Sequence, residues 1–172
     1  MSLNSNYRYL FTLSSSVALS TMLLTQVLTL LCWRTHTHIP VSGYYSITSC
    51  LLIYSFVLGF FICWVATLMT HAALRRKQIM PLHWHLKSKT LIDQLPVQVF
   101  PRAVFLGLAG VTMGFITIYF LKLYAVTYLH FTELMLFMLM YAGLSGFSAT
   151  VVSVYRSLGD GAIYRKASKS DL

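Results

Sequence analysis

Four long apolar stretches without a single charged residue dominate this chain. Their charge-free cores are residues 17–33, 47–69, 103–121 and 134–155. A helix needs about 20 mostly apolar residues to cross the hydrocarbon core of a bilayer. Inside that core the backbone N–H and C=O groups must bond to each other, which a helix achieves without a partner. We therefore predict an all-α membrane protein with four transmembrane helices, over residues 14–33, 47–70, 103–124 and 133–156.

The composition agrees with this interpretation. Of the 172 residues, 57% are hydrophobic and only 10% are charged, whereas about a quarter of the residues are charged in soluble proteins. The length favours one integral membrane domain, residues 1–172. The first stretch is longer than the apolar core of a signal peptide, and no small-residue cleavage site follows it. We therefore expect it to be retained as a helix.

The basic residues predict the orientation. The chain has 13 Lys and Arg against four acids, for a net charge of +9. Arg8 precedes the first span, six basic residues lie in the loop 71–102 and four follow the last span, whereas only Arg34 and Lys122 fall on the other face. Positive residues collect on the cytoplasmic side, so both termini and the basic loop are predicted there.

The same charge excess bears on partners and location. It would attract the anionic headgroups of the bilayer, and the high apolar content argues against nucleic acid as a partner. We predict a multi-pass protein of the inner (plasma) membrane, with an organellar membrane as the alternative.

Small residues at helical spacing predict how the helices pack, because helices in lipid associate where their backbones can approach closely. The third span carries Gly107, Gly110 and Gly114, and the fourth carries Gly143 and Gly146. A short connection joins these two spans, so we expect them to be partners. The overall expectation is a compact antiparallel bundle.

The spans offer little for catalysis. Their charge-free cores contain no Asp or Glu, and Gln26 is the one strongly polar side chain in these cores. Ionisable groups inside the membrane are where proton relays and most intramembrane active sites are found. We therefore predict no catalytic residue and no cofactor, and we expect Gln26 to form a hydrogen bond between helices.

Cys32 and Cys50 fall at the outer face, at similar depth. In an oxidising compartment they could form a disulfide, although we favour the interpretation that they stay unlinked. Together with His36 and His38 they have the ligand types that suit Zn or Cu. Their spacing matches no known signature, so no metal site is expected from the sequence.

Two loop features have local interpretations. Residues 82–95 have an apolar side and two lysines, which suits a short helix in the membrane interface, an ordinary loop or a docking surface. Thr132 followed by Glu133 is typical of a helix N-cap with an acid in the first turn.

These features lead to three functional hypotheses. The first is a protein that acts non-enzymatically by binding another membrane component, such as an accessory or assembly subunit or an immunity-type protein. The second is a transporter or channel component for a neutral or hydrophobic solute, with the Thr/Gln side of the first span along the path. The third is a lipid-modifying enzyme.

The predicted orientation can be tested by labelling. A single cysteine placed at Lys89 of a cysteine-free variant should react with a membrane-impermeant maleimide only after the cells are opened, because the basic loop resists transfer across the bilayer. A single cysteine at Ser42 serves as the outward control. Labelling of the Lys89 position in intact cells would contradict the orientation.

Overall fold

The structure is a computed structural model. It describes the backbone of residues 2–34, 38–43, 46–76, 79 and 95–170, and the side chains of 6–34, 39–43, 46–76, 79 and 95–159. The element order is α1 (Ser2–Trp33), β1 (His38–Pro40), α2 (Ile47–Arg75), α3 (Val99–Leu123), β2 (Tyr128–His130) and α4 (Phe131–Ser170). Four helices in the described part of the chain are long and apolar enough to cross a membrane, as the four predicted spans require.

The helices extend beyond the predicted spans at several ends. α1 begins at Ser2 rather than at residue 14, and α4 continues to Ser170 rather than ending at residue 156. Hydropathy marks the part of a helix that suits lipid, and it gives no stop signal once the helix has left the apolar zone. The predicted interfacial helix over residues 82–95 lies outside the described residues, except for Leu95.

The packing order of the helices differs from the one we expected. α1 packs on α4, α4 on α2, and α2 on α3. Among the described residues, α3 has no comparable interface with α4, so the prediction that the third and fourth spans are partners was wrong. The short connection joins their ends, but each of the two helices packs on α2 instead of on the other.

Glycines allow the backbones of α2 and α3 to approach each other closely. A Cβ atom on Gly59 would lie 2.7 Å from the carbonyl oxygen of Leu106, and one on Gly110 would lie 2.5 Å from that of Ser55. A Cβ atom on Gly107 would lie 3.0 Å from the ring of Phe56 and 3.1 Å from its carbonyl oxygen. Backbone atoms block these positions, so any side chain there would push the helices apart.

The two glycines of α4 face α1 instead. A Cβ atom on Gly146 would lie 2.6 Å from the hydroxyl oxygen of Thr21, and one on Gly143 would overlap the end of the Met22 side chain. A Cβ atom on Gly114 of α3 would lie 3.1 Å from the Ser55 hydroxyl oxygen and 3.3 Å from the Leu52 side chain, both on α2. The predicted small-residue faces thus serve two separate interfaces.

A two-stranded ribbon, which was not predicted from the sequence, covers one end of the helices. β1 and β2 pair antiparallel, with Ile39 opposite Leu129, and the Val41 N–H donates to the Thr127 carbonyl at 3.0 Å. We call this part of the molecule, residues 38–43 and 124–130, the ribbon end. Buried residues beneath it join the ribbon to the helices: Ile39, Val41, Ile47, Leu51, Ile118, Leu134 and Met138.

The turn that leads from α3 into β2 is held by a C-terminal cap. The Ala125 N–H donates to the Lys122 carbonyl and the Val126 N–H to the Leu121 carbonyl, which is the Schellman pattern. Ala125 has φ of 53°, a left-handed conformation that costs a non-glycine residue free energy. The ribbon contacts therefore hold the turn against local strain.

The prediction that Thr132 is the N-cap of α4 was wrong. The helix begins at Phe131, so Thr132 lies within the first turn and is not the N-cap. Glu133 does act at this end, because its Oε2 accepts a hydrogen bond from the His130 N–H at 3.0 Å. This is the half of a capping box in which the acid at the third helical position reaches back to the cap residue.

The α2–α3 contact leads to a prediction about Gly110. Gly110→Ala should destabilise the protein by about 1–3 kcal/mol, the usual range for overpacking, because the new methyl group meets the backbone of Ser55. Gly143→Ala is the matched control, since the flexible end of Met22 can move aside. Unfolding in mixed micelles with increasing sodium dodecyl sulfate would measure both, and equal losses would contradict the prediction.

Candidate functional site

Polar side chains of α1 are used to fasten this helix to its neighbours. The Gln26 side-chain N–H donates to the Met135 carbonyl of α4 at 2.8 Å, so the predicted interhelical hydrogen bond is confirmed. Thr25 donates to the Thr21 carbonyl and bonds to the Tyr54 hydroxyl of α2. Because Thr25 has only one hydroxyl proton, we assign Tyr54 as the donor to it.

A similar chain of hydroxyl groups joins α4 to α2. The Ser55 hydroxyl donates to the Leu51 carbonyl at 2.5 Å and lies 2.6 Å from the Tyr141 hydroxyl. With the serine proton already used, the tyrosine is the donor. Neither tyrosine was singled out as an interhelical donor from the sequence, since its partner lies on another helix.

Beside this hydrogen bond lies a cavity of about 560 Å³. α2 forms its floor, and α3 and α4 form its two walls, because these helices pack on α2 without covering the space between them. We call it the α3–α4 groove. Its lining residues are Ser55, Leu58 and Gly59 from α2, Leu106, Ala109, Gly110, Met113 and Thr117 from α3, and Tyr141, Leu144, Ser145, Ser148, Ala149 and Val152 from α4.

The groove lies within the apolar part of the helices. From Tyr141 to Val152 it follows α4 for about 16 Å at 1.5 Å per residue. All of its lining residues fall inside the candidate spans. Its α4 wall presents Ser145, Ser148 and Ala149, with small side chains at helical spacing. The groove therefore opens where a lipid chain or another transmembrane helix would meet it.

The hydroxyl groups that line the groove already have hydrogen-bond partners. Thr117 donates to the Met113 carbonyl, Ser145 to the Tyr141 carbonyl and Ser148 to the Ser145 carbonyl. None of the lining residues is charged. The groove thus offers shape and apolar contact, and its hydroxyl protons are committed within the protein.

A buried arginine lies at the end of the helices away from the ribbon end, and its structural role was not predicted from the sequence. Arg102 lies in the first turns of α3 with no exposed surface. It donates to the carbonyls of Pro96 and Val97, at 3.0 and 2.8 Å, and to the Ser157 hydroxyl of α4 at 3.1 Å. Buried backbone carbonyls need donors, and this guanidinium supplies them for the segment that leads into α3.

Arg156 of α4 has a matching role. It is 6% exposed and donates to the Leu95 carbonyl at 3.0 Å. From the sequence, both arginines were predicted only to mark the cytoplasmic side. Their burial shows that they also tie the chain before α3 to α4. We call this set of contacts, Arg102, Arg156, Ser157 and the carbonyls of 95–97, the arginine clamp.

Four residues were candidates for a disulfide or a metal site: Cys32, Cys50, His36 and His38. Cys32 is exposed and Cys50 is half-buried, and both are free thiols, so the disulfide stays a prediction. His36 lies outside the described residues, and His38 is described by its backbone in β1. Among the side chains that the structure describes, no three His, Cys, Asp or Glu residues form a group that could hold a metal ion.

Comparisons with protein-family models, with curated proteins and with solved structures find no match to this chain.

The arginine clamp predicts a large effect of one substitution. Arg102→Ala should cost about 2 kcal/mol or more, because it leaves buried carbonyls of the segment before α3 without donors, at about 1–3 kcal/mol for each such group. Arg75→Ala is the control, since Arg75 is exposed in the last turn of α2. The same unfolding assay in mixed micelles would compare them, and equal stability of the two variants would contradict the structural role of Arg102.

Proposed function

We propose that this chain acts non-enzymatically by binding another membrane protein, and that it does so by receiving one transmembrane helix of that partner in the α3–α4 groove. The observation that carries the proposal is the groove itself, an apolar cavity of about 560 Å³ at the depth of the spans, lined by α2, α3 and α4 with several small residues on its walls. Small residues favour helix association in lipid because they let backbones approach.

The chemistry of the lining favours a helix over a polar solute. Sites for small molecules combine apolar walls with a few placed polar groups that fix the orientation of the ligand. Here the serine and threonine protons on the walls are committed to backbone carbonyls of their own helices. A solute would find few groups to orient it, whereas a helix needs only close packing.

The dimensions support a helix that lies along the groove. A helix with side chains is about 10–12 Å wide, so it cannot sink entirely into a cavity of about 560 Å³. It can place the side chains of one face between α3 and α4. The length of the groove, about 16 Å, corresponds to about three helical turns at 5.4 Å per turn, enough for contacts at several successive positions.

We further propose the arrangement in the membrane. The helices cross in alternating directions as an antiparallel bundle, with both termini and the basic loop 71–102 in the cytoplasm of a cell whose inner or plasma membrane holds the protein. The distribution of Lys and Arg supports this orientation. It makes the ribbon end the outer end and the arginine clamp the inner one.

The transporter hypothesis has less support. It would place a solute path along the Thr/Gln side of α1, but Thr21, Thr25 and Thr29 are buried and Gln26 is bonded to α4. These side chains serve helix packing. A lipid-modifying enzyme would need reactive groups near its substrate, and the groove is lined by no ionisable residue other than the Tyr141 phenol.

Photocrosslinking in cells that produce this protein naturally tests the proposal. A photoreactive phenylalanine at Ser148, which lines the groove, should give one protein adduct of defined mass. The same residue at Phe147, which lies next to Ser148 but outside the groove lining, should not. Ala109→Phe should abolish the adduct by filling the groove, whereas Thr112→Phe, exposed on the same helix, should leave it intact.

Other outcomes would contradict the proposal. Adducts with lipid alone would make the groove a lipid site. An adduct with the mass of two chains would identify the occupant as a second copy of this protein, and equal adducts from Ser148 and Phe147 would mean that the groove gives no selectivity.

A further inference from the structure

We infer that the transmembrane helix received by the α3–α4 groove carries a tryptophan at the middle of its span, and that the indole N–H of this tryptophan donates a hydrogen bond to the Ser145 hydroxyl oxygen. The inference rests on the proposed function and adds the chemistry by which one helix is selected over another. Close packing alone admits many apolar helices, whereas a hydrogen bond requires a particular side chain at a particular depth.

Five hydroxyl groups line the groove, and each has already used its proton. Tyr141 donates to Ser55, and the other four donate to backbone carbonyls of their own helices: Ser55, Thr117, Ser145 and Ser148. The remaining lining residues, all within the described part of the chain, have apolar side chains or none. A hydroxyl oxygen still has lone pairs that accept. The lining thus presents hydrogen-bond acceptors and no uncommitted side-chain donor.

This pattern decides which polar side chain of a partner helix fits the groove. Asn, Gln, His and Tyr each bring an acceptor that would find no donor there, and Ser and Thr hydroxyls are satisfied by carbonyls of their own helix. Lys and Arg bring only donors, but their charge is costly in hydrocarbon. Tryptophan has an N–H donor, no acceptor and no charge, so it matches the lining.

Ser145 is the acceptor that the geometry favours. It is half-buried on the α4 wall, whereas Ser148 is exposed. The Tyr141 hydroxyl lies 2.6 Å from the Ser55 hydroxyl, at the end of the groove. Because the candidate span of α4 covers Phe131–Gly159, Ser145 lies at its midpoint. An indole N–H at that depth has neither water nor headgroups to bond, and Ser145 supplies the acceptor that it needs.

The size of an indole also suits the groove. Tryptophan is enriched among the residues that carry most of the binding energy of interfaces, because its ring fills a pocket while its N–H bonds to the partner. Small lining residues, such as Ala109, Gly110 and Ala149, leave room for a ring within the cavity of about 560 Å³. Tryptophan in membrane helices is concentrated at the two interfaces, so a tryptophan in mid-span is a feature by which the partner can be recognised.

Synthetic transmembrane peptides in vesicles test the inference. The purified full-length chain is reconstituted in phosphatidylcholine with peptides of about 20 Leu and Ala residues that differ only at the midpoint. One peptide has tryptophan there, and its matched control has 3-benzothienylalanine, which has the shape of tryptophan with sulfur in place of the N–H. Energy transfer from a dye on Ser42→Cys of an otherwise cysteine-free chain to a second dye on the peptide measures binding. The tryptophan peptide should bind about two- to tenfold more tightly, as expected for one net hydrogen bond.

Substitutions in the chain locate the bond. Ser145→Ala should make the two peptides bind equally, because it removes the accepting oxygen. Ser20→Ala is the matched control: the Ser20 hydroxyl also donates to the carbonyl four residues earlier, but it lies on α1, so the preference for tryptophan should remain. Ala109→Phe, which fills the groove, should abolish binding of both peptides. Circular dichroism should show each variant folded.

The outcomes separate this inference from the proposed function. Equal binding of the two peptides to the unsubstituted chain, abolished by Ala109→Phe, would overturn the tryptophan inference and leave the groove as a helix site. Tighter binding of a peptide with tyrosine or glutamine at the midpoint would do the same. A preference that survives Ser145→Ala would overturn the choice of Ser145. Binding unaffected by Ala109→Phe, or no binding of any peptide, would count against the groove itself and overturn the inference with it.

Discussion

At Gly59, Gly107 and Gly110 the backbones of α2 and α3 approach so closely that a methyl group would meet a backbone oxygen or an aromatic ring. In lipid, burying one apolar side chain against another gains little, because the hydrocarbon solvent is equally apolar. Close backbone packing is therefore one of the few sources of specific association. It holds α3 against α2, and the α3–α4 groove follows from this pairing.

Because α3 is held by α2, it is not available to cover α4. α4 uses its own glycines, Gly143 and Gly146, against α1 and meets α2 with another side, where Tyr141 bonds to Ser55. The side of α4 that carries Ser145 and Ser148 is left facing the space beside α3. The α3–α4 groove is thus a consequence of which helix pairs have the tightest contacts.

Hydrogen bonds from a few buried or half-buried side chains connect separate elements of the structure. Gln26, Tyr54 and Tyr141 each link two helices near the ribbon-end half of the spans. Arg102 and Arg156 hold the chain that enters α3 at the other end. A buried donor or acceptor without a partner is costly, so each of these bonds restricts how the helices can be arranged. The helices that these bonds hold also form the groove, so the groove has its shape without a bound partner.

The ribbon end shows how two connections can be assembled into one structure. β1 and β2 are each only three residues long, and a strand of that length has little stability alone. They are held because Ile39 and Val41 are buried over the helix ends. The same pairing sets His38 opposite His130, which no spacing within either connection would have indicated.

The sequence by itself determined the number of apolar helices and the residues able to support close packing, such as Gly110 and Gly146, because hydropathy and small-residue spacing are local properties of one helix. It also indicated that Gln26 would bond to another helix, since an amide in hydrocarbon needs a partner. The choice of partners was decided only by the tertiary structure. Whether Gly110 meets α2 or α4, whether Arg102 stays at the surface or is buried, and whether His38 meets His130 depend on contacts between distant parts of the chain. Such contacts are settled by the fit of whole surfaces, and a single-helix pattern does not contain that information.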